Sequence, residues 1–234
     1  MEQVLDFARG PLFRLTFAVM ILGLLRVLVL DIISAYEAYR RAGDKSIPWG
    51  RLTVQALSWL VPVNRVFRNR PVYSIVSVLF HIGLLITPIF LYAHVALWQD
   101  DLAIPWLTLS YDMAYWLTAL TIVTAVLLLV MRFASKSSSY ISRKQDYLWP
   151  IILLVPFVTG FLCAHMGLGP KAYQISMLVH ILAGELIFIL IPFTKIAHCV
   201  LMPLSQFISA IAWKFPPETD EKIAVTLNKK GEPV

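Results

Sequence analysis

The residues best suited to chemistry in this chain are its five histidines, His81, His94, His165, His180 and His198. All of them fall within or at the ends of long apolar runs, and none lies in a polar connection or in the tail. Ionisable groups in hydrocarbon are costly and usually face an interior site. A neutral imidazole with one nitrogen on iron and the other in a hydrogen bond carries little of that cost, so haem is a natural partner. The bland alternative is a set of imidazoles bonding between helices without metal.

Spacing narrows the choice. His81 and His94 are thirteen residues apart in one apolar run, and His180 and His198 are eighteen apart in another. On straight helices these separations are about 20 and 27 Å, one ligand per leaflet on each helix. The two runs cross in opposite directions, so the expected pairs are His81 with His198 toward one side and His94 with His180 toward the other. Two bis-histidine haems stacked across a membrane would result. Eighteen residues make about five turns and would put His180 and His198 on one face, whereas thirteen would splay His81 and His94 by roughly 140°. Pro88 lies between the latter and can kink or rotate the helix.

The elements that must position these residues follow from composition. Of 234 residues, 59% are hydrophobic and 15% charged, and the mean hydropathy is +0.73, which belongs in a bilayer rather than in a soluble domain. Apolar runs cover Leu12 to Ser34, Val72 to Trp98, Met113 to Met131, Tyr147 to Gly167 and Tyr173 to Met202. Each is long enough to cross as a helix, the form that satisfies its own backbone in lipid. At about 45 Å, the last should tilt or protrude. The first shows acidic as well as basic residues before it and no small-residue cleavage site, so it reads as a retained span.

Lys and Arg set the orientation. Ala35 to Pro71, Arg132 to Asp146 and the tail from Pro203 carry seven, four and four of them, while the other side has Arg9 and Lys171. The N-terminus is therefore expected outside and the C-terminus in the cytoplasm. The expected fold is all-α, a polytopic bundle of five transmembrane helices over residues 1–215, followed by a polar, mobile cytoplasmic tail over 216–234. The net charge of +6 sits in the connections, where topology explains it, and nucleic-acid binding is not expected. Cys163 and Cys199 match no C-x-x-C or C-x-x-C-H spacing, which argues against a disulfide framework and covalent haem. Between Ala35 and Pro71, Leu52, Leu57, Leu60 and Val61 recur at helical spacing beside Trp49 and Trp59, the pattern of an inner interfacial helix. Leu102 to Leu109, with Pro105 and Trp106, reads as an outer interfacial turn.

Phe80-His81-Ile82-Gly83 through Ala93-His94, then Leu178-Val179-His180 and Ile191-Pro192-Phe193-Thr194-Lys195-Ile196-Ala197-His198, together resemble the gamma, membrane cytochrome b, subunit family of respiratory nitrate reductase. The wider His81 to His94 spacing and Thr87-Pro88-Ile89-Phe90 are most similar to the branch found in transmembrane redox complexes of sulfate-reducing prokaryotes. This resemblance implies two b haems held by His81, His94, His180 and His198. It also implies menaquinone exchange near the outer haem and electron transfer through the inner haem to a cytoplasmic iron-sulfur subunit related to heterodisulfide reductase. Other membrane subunits and an extracytoplasmic multihaem cytochrome c are further partners it suggests, in a prokaryotic cytoplasmic membrane.

Other polar residues are weaker signals. His165, with no sixth histidine to pair with, is open to three readings: a quinone-site group, a substitute ligand, or an ordinary interhelical hydrogen bond. Glu185 is a candidate proton relay or a buried acid. Tyr92, Asp100, Asp101, Lys171 and Tyr173 mark the region where a quinone headgroup would find donors and a proton path. Arg14 and Arg26 are candidates to neutralise haem propionates, and snorkelling is the plainer account of Arg14 and Lys195. Two rival classes remain: a proton or ion transporter using His165 and Glu185, and a cofactor-free anchor that recruits a soluble partner.

Overall fold

The computed structural model describes residues 1–43, 45, 47–58, 70–102, 106–165, 167–212 and 218–229, and among them every regular element is helical. Five helices are long and apolar enough to cross a membrane, and the chain is a multi-pass membrane protein. The long first helix, α1 (Glu2–Arg41), opens with a π-turn over Ala8–Leu12. Pro11 inside that turn has no N–H to continue the ladder, which is a physical reason for the wider turn there. Next come α2 (Trp49–Ser58), α3 (Pro71–Phe90) and α4 (Tyr92–Leu102). They are followed by α5 (Tyr111–Ala134), the short α6 (Lys136–Ile141) and α7 (Lys144–His165). The chain continues with α8 (Pro170–Leu190), α9 (His198–Ala212) and α10 (Thr219–Thr226).

The chain divides into two compact units, Met1–Phe17 with Pro62–Phe188, and Ala18–Val61 with Ile189–Val234. In the first, α3 packs closely on α5, which in turn packs on α7. The contact stripe on α3 holds Ser74, Phe80, Gly83 and Thr87, and that on α5 holds Ala114, Thr121, Thr124 and Ala125, all buried. Small residues let backbones approach where lipid gives no hydrophobic drive between helices. A Cβ on Gly83 would collide with Thr121 Oγ1 and lie 3.0 Å from the Leu117 carbonyl. The threonine hydroxyls are satisfied within their own helix: Thr118, Thr121 and Thr124 donate to the carbonyls of Ala114, Leu117 and Leu120. Phe13 and Phe17 from the start of α1 set their rings edge-on to Phe188 of α8.

In the second unit, α2 lies against α9. Leu52 and Ala56 are buried, as is Ile211, while Val54 and Leu57 stay exposed. The apolar face of α2 thus runs through Leu52 and Ala56, and Leu57 is off it. Trp59, Leu60 and Val61, part of the same expected surface helix, lie outside the described residues, as does Pro105 of the expected outer turn. Gly23 of α1 meets Pro192: a Cβ there would sit 2.5 Å from the proline ring.

Two expected spans are interrupted. The run Val72 to Trp98 is not one helix: α3 ends at Phe90, Leu91 is extended (φ −64°, ψ 128°), and α4 begins afresh. The run Tyr173 to Met202 also breaks. After Leu190 come 3₁₀ turns at Ile191–Phe193 and Lys195–Ala197, separated by an extended Thr194 (φ −132°, ψ −177°) whose hydroxyl accepts from Ile196 N. Pro192 cannot donate to the ladder, and the capped turn then restarts the chain as α9 at His198. A 45 Å straight helix is therefore replaced by a span and a second, separate helix. The expected mobile tail contains α10.

Candidate functional site

The breaks decide how the histidines are held. With Leu91 extended, the i→i−4 ladder ends beyond Phe90, and the Pro88 carbonyl accepts instead from His94 Nδ1 at 3.0 Å. His94 enters in the first turn of α4, anchored by its own N–H on Leu91 O at 2.9 Å. On α8, His180 Nδ1 donates to Pro156 O of α7 at 2.8 Å. Glycine makes that reach practicable: a Cβ on Gly160 would lie 2.9 Å from His180 Cε1 and 3.0 Å from its Nδ1. Ser176, one turn earlier, donates to Thr159 O at 3.3 Å and ties the same two helices.

His94 and His180 come together, with ring centres 5.8 Å apart and planes 22° from parallel. A carbonyl only accepts, so each Nδ1 carries the proton and each Nε2 carries the lone pair. This is the arrangement in which a second-shell carbonyl sets the tautomer of a metal-binding imidazole. Two imidazoles on opposite sides of one metal atom, with metal–nitrogen bonds of about 2 Å, have ring centres about 6 Å apart. The chemistry of the donor set, two imidazoles whose Nδ1 atoms are tied to carbonyls, suits a metal-bound group that both rings could hold.

His81 and His198 repeat the tautomer. His81 Nδ1 donates to Ser77 O at 2.7 Å, and His198 Nδ1 to Lys195 O at 2.9 Å. Both are exposed. His81 belongs to the first unit and His198 to the second, and each is described within its own. The eighteen-residue spacing no longer places His180 and His198 on one face, because the helix stops between them. For His81 and His94 the ideal-helix splay fails for the same reason.

His165 differs from the other four. At the end of α7 its Nδ1 meets a side chain, the Tyr111 hydroxyl, at 2.6 Å. The rings of Tyr111, Tyr115 and Phe161 surround it at 5.0, 4.9 and 4.8 Å. Tyr111 can exchange a proton with that imidazole, and sequence reasoning missed it because the two are 54 positions apart.

Glu185 is 4% exposed, and neither carboxylate oxygen has a hydrogen-bond partner among the described residues; Thr87 Oγ1 is in the same position. Glu185 sits on α8 with His180, and Thr87 sits on α3 with His81. A carboxyl without partners is expensive there as an anion. Tyr92, Lys171 and Tyr173 are exposed, as are Arg14, Arg26 and Lys195. Asp100 and Asp101 lie in α4, with side chains outside the described set. Among the described residues, no group of three or more His, Cys, Asp or Glu could hold a metal ion, so any metal here would depend on the two-imidazole kind of site. Gly160 and Pro156 were also missed as site residues, since nothing in a single sequence marks which glycine faces an imidazole.

No family model matches the chain, and no solved structure matches it. A curated relative from Nitratidesulfovibrio vulgaris (strain Hildenborough), described simply as "Protein", is 34% identical over 152 residues. The match covers 64% of this chain and 66% of the relative, just short of two thirds of its length. Fold and site together define a multi-pass helical membrane protein with a paired-imidazole centre.

Proposed function

We propose that this chain is a membrane cytochrome b subunit of a respiratory redox complex, similar to the nitrate reductase gamma family. In this reading it transfers electrons between menaquinone and a partner iron-sulfur subunit related to heterodisulfide reductase. The observation that carries the proposal is the shared tautomer: His81, His94, His180 and His198 all turn Nδ1 to a backbone carbonyl. His94 and His180, which also face one another, are the ligands of the outer haem. The second haem falls to His81 and His198, a pairing that rests on the sequence alone. When bound, b haems supply one-electron transfer. The chain's own part is to fix the imidazoles through their carbonyl partners and exclude water around the pair; His94 and His180 would hold one such group and His81 and His198 the other. Quinone exchange belongs near the outer pair, where His165 and Tyr111 offer a proton-exchanging couple and Tyr92 and Lys171 are exposed donors. An N-terminus outside and a C-terminus in the cytoplasm of a prokaryotic cell complete the reading.

A reduced-minus-oxidised visible spectrum of the purified protein tests it. Two b haems per chain are expected, His180→Ala retaining one of them and His198→Ala the other. A colourless preparation sinks the proposal. Glu185, buried with no hydrogen-bond partner among the described residues, favours a second reading as a proton or ion transporter; it predicts proton flux in liposomes that Glu185→Gln abolishes, with no haem present.

A further inference from the structure

The first unit holds a cavity of about 380 Å³ where α3 begins and α5 ends. Its lining combines polar residues, Arg70, Tyr73, Ser135 and Ser138, with apolar ones, Pro71, Val72 and Met131. Arg70 is held in place by serines: Nη1 donates to Ser138 Oγ at 2.6 Å, and Nη2 to Ser137 Oγ. Arg132 reaches the Tyr73 hydroxyl at 3.5 Å and the Asp146 carbonyl at 3.2 Å. Ser138 Oγ and the Tyr73 hydroxyl accept from guanidinium groups, so their own O–H protons remain to be donated, while Ser137 Oγ also meets Ser135 Oγ at 3.4 Å. The Asp146 carboxylate accepts from Arg143 N at 2.8 Å, turned to its own helix start.

We propose that this cavity binds the headgroup phosphate of an anionic phospholipid. Charge complementarity is one argument: Arg70 lines the cavity and Arg132 bonds to the Tyr73 that lines it, and guanidinium with hydroxyl donors suits a phosphate monoanion. Position is the other. The cavity lies at the ends of two helices apolar enough to cross a membrane, and Val72 of its apolar lining is 63% exposed at the start of one of them. An acyl chain can continue along that exposed apolar surface, whereas a free phosphate gains nothing from apolar lining. Basic pockets between spans are a recurrent setting for acidic lipids.

Native mass spectrometry of the full-length protein in detergent, titrated with phosphatidylglycerol or phosphatidylcholine of the same acyl chains, tests the proposal. One phosphatidylglycerol is expected to be retained about fivefold more tightly, the effect of one cation at a membrane surface. Arg70→Gln should abolish the preference and Arg70→Lys restore part of it, while Lys222→Gln, in the tail, leaves it intact. Val72→Trp fills the apolar part of the cavity with Arg70 unchanged and should also lose the lipid, which keeps the test open if Arg70→Gln does not fold. Equal retention of the two lipids, or a preference surviving both Arg70→Gln and Val72→Trp, overturns it. So does displacement by inorganic phosphate at equimolar amounts, which would mark a free-anion site.

Discussion

Gly160 matters to this molecule through the contact it permits. His180 reaches the Pro156 carbonyl because no side chain stands at 160, and a methyl group there comes within 2.9 Å of the imidazole. Since that distance is too short for carbon against carbon, Gly160→Ala must turn the ring away from Pro156 O and loosen its tautomer. Loss of such a supporting bond lowers metal affinity about 10- to 100-fold. Under the proposed function, the expected outcome is a selective loss of the outer haem on washing, read as one b haem per chain against the two that the proposal assigns to the parent; full retention would show that the Pro156 bond does not govern ligation. Tyr111→Phe tests the other histidine. It removes the hydroxyl at 2.6 Å from His165 and should leave both haem bands in place while slowing reduction of the haems by added quinol. If that bond only holds α5 to α7, the quinol rate stays put and stability falls by about 1 kcal/mol.

At the scale of elements, the packing of α3 on α5 sets where His81 can lie, because Gly83 two residues on has no room for a side chain. Gly83→Val would drive a branched group into Thr121 and toward the Leu117 carbonyl; overpacking of this kind costs about 1–3 kcal/mol. A lowered thermal midpoint with loss of the haem proposed for His81 is expected, and an unchanged midpoint would mean that α3 can slide without cost. How much of this was legible in the sequence differs by element. The apolar runs gave the spans, because twenty residues of unbroken hydrophobicity have one structural answer in lipid. The breaks were not legible. Pro88 signalled a kink, yet the chain opens three residues later at Leu91, where the choice depends on what His94 and Leu109 find to bond. Leu109 N takes Phe90 O at 2.8 Å, a contact that no local pattern announces. Likewise Pro192 was visible, but the extended Thr194 and its bond to Ile196 N, which restart the chain at His198, depend on packing against Gly23.

For the whole molecule the remaining lever is the distribution of charge. Fifteen Lys and Arg fall in the connections and tail on one side of the expected spans, against Arg9 and Lys171 on the other. The five spans are odd in number, so the termini must lie on opposite sides if each crosses once. The charge bias predicts the tail inside, since translocating its four lysines together with the basic connections would oppose the positive-inside preference at every step. Fusions report this directly. A fluorescent protein joined after Thr226 should mature and glow, and alkaline phosphatase at the same place should be inactive. Alkaline phosphatase joined after Lys171 should be active. The reverse pattern would place Arg70, Arg132 and the phosphate cavity on the far side of the membrane. It would also remove the case for a cytoplasmic redox partner, because the exposed basic surface would then face away from it.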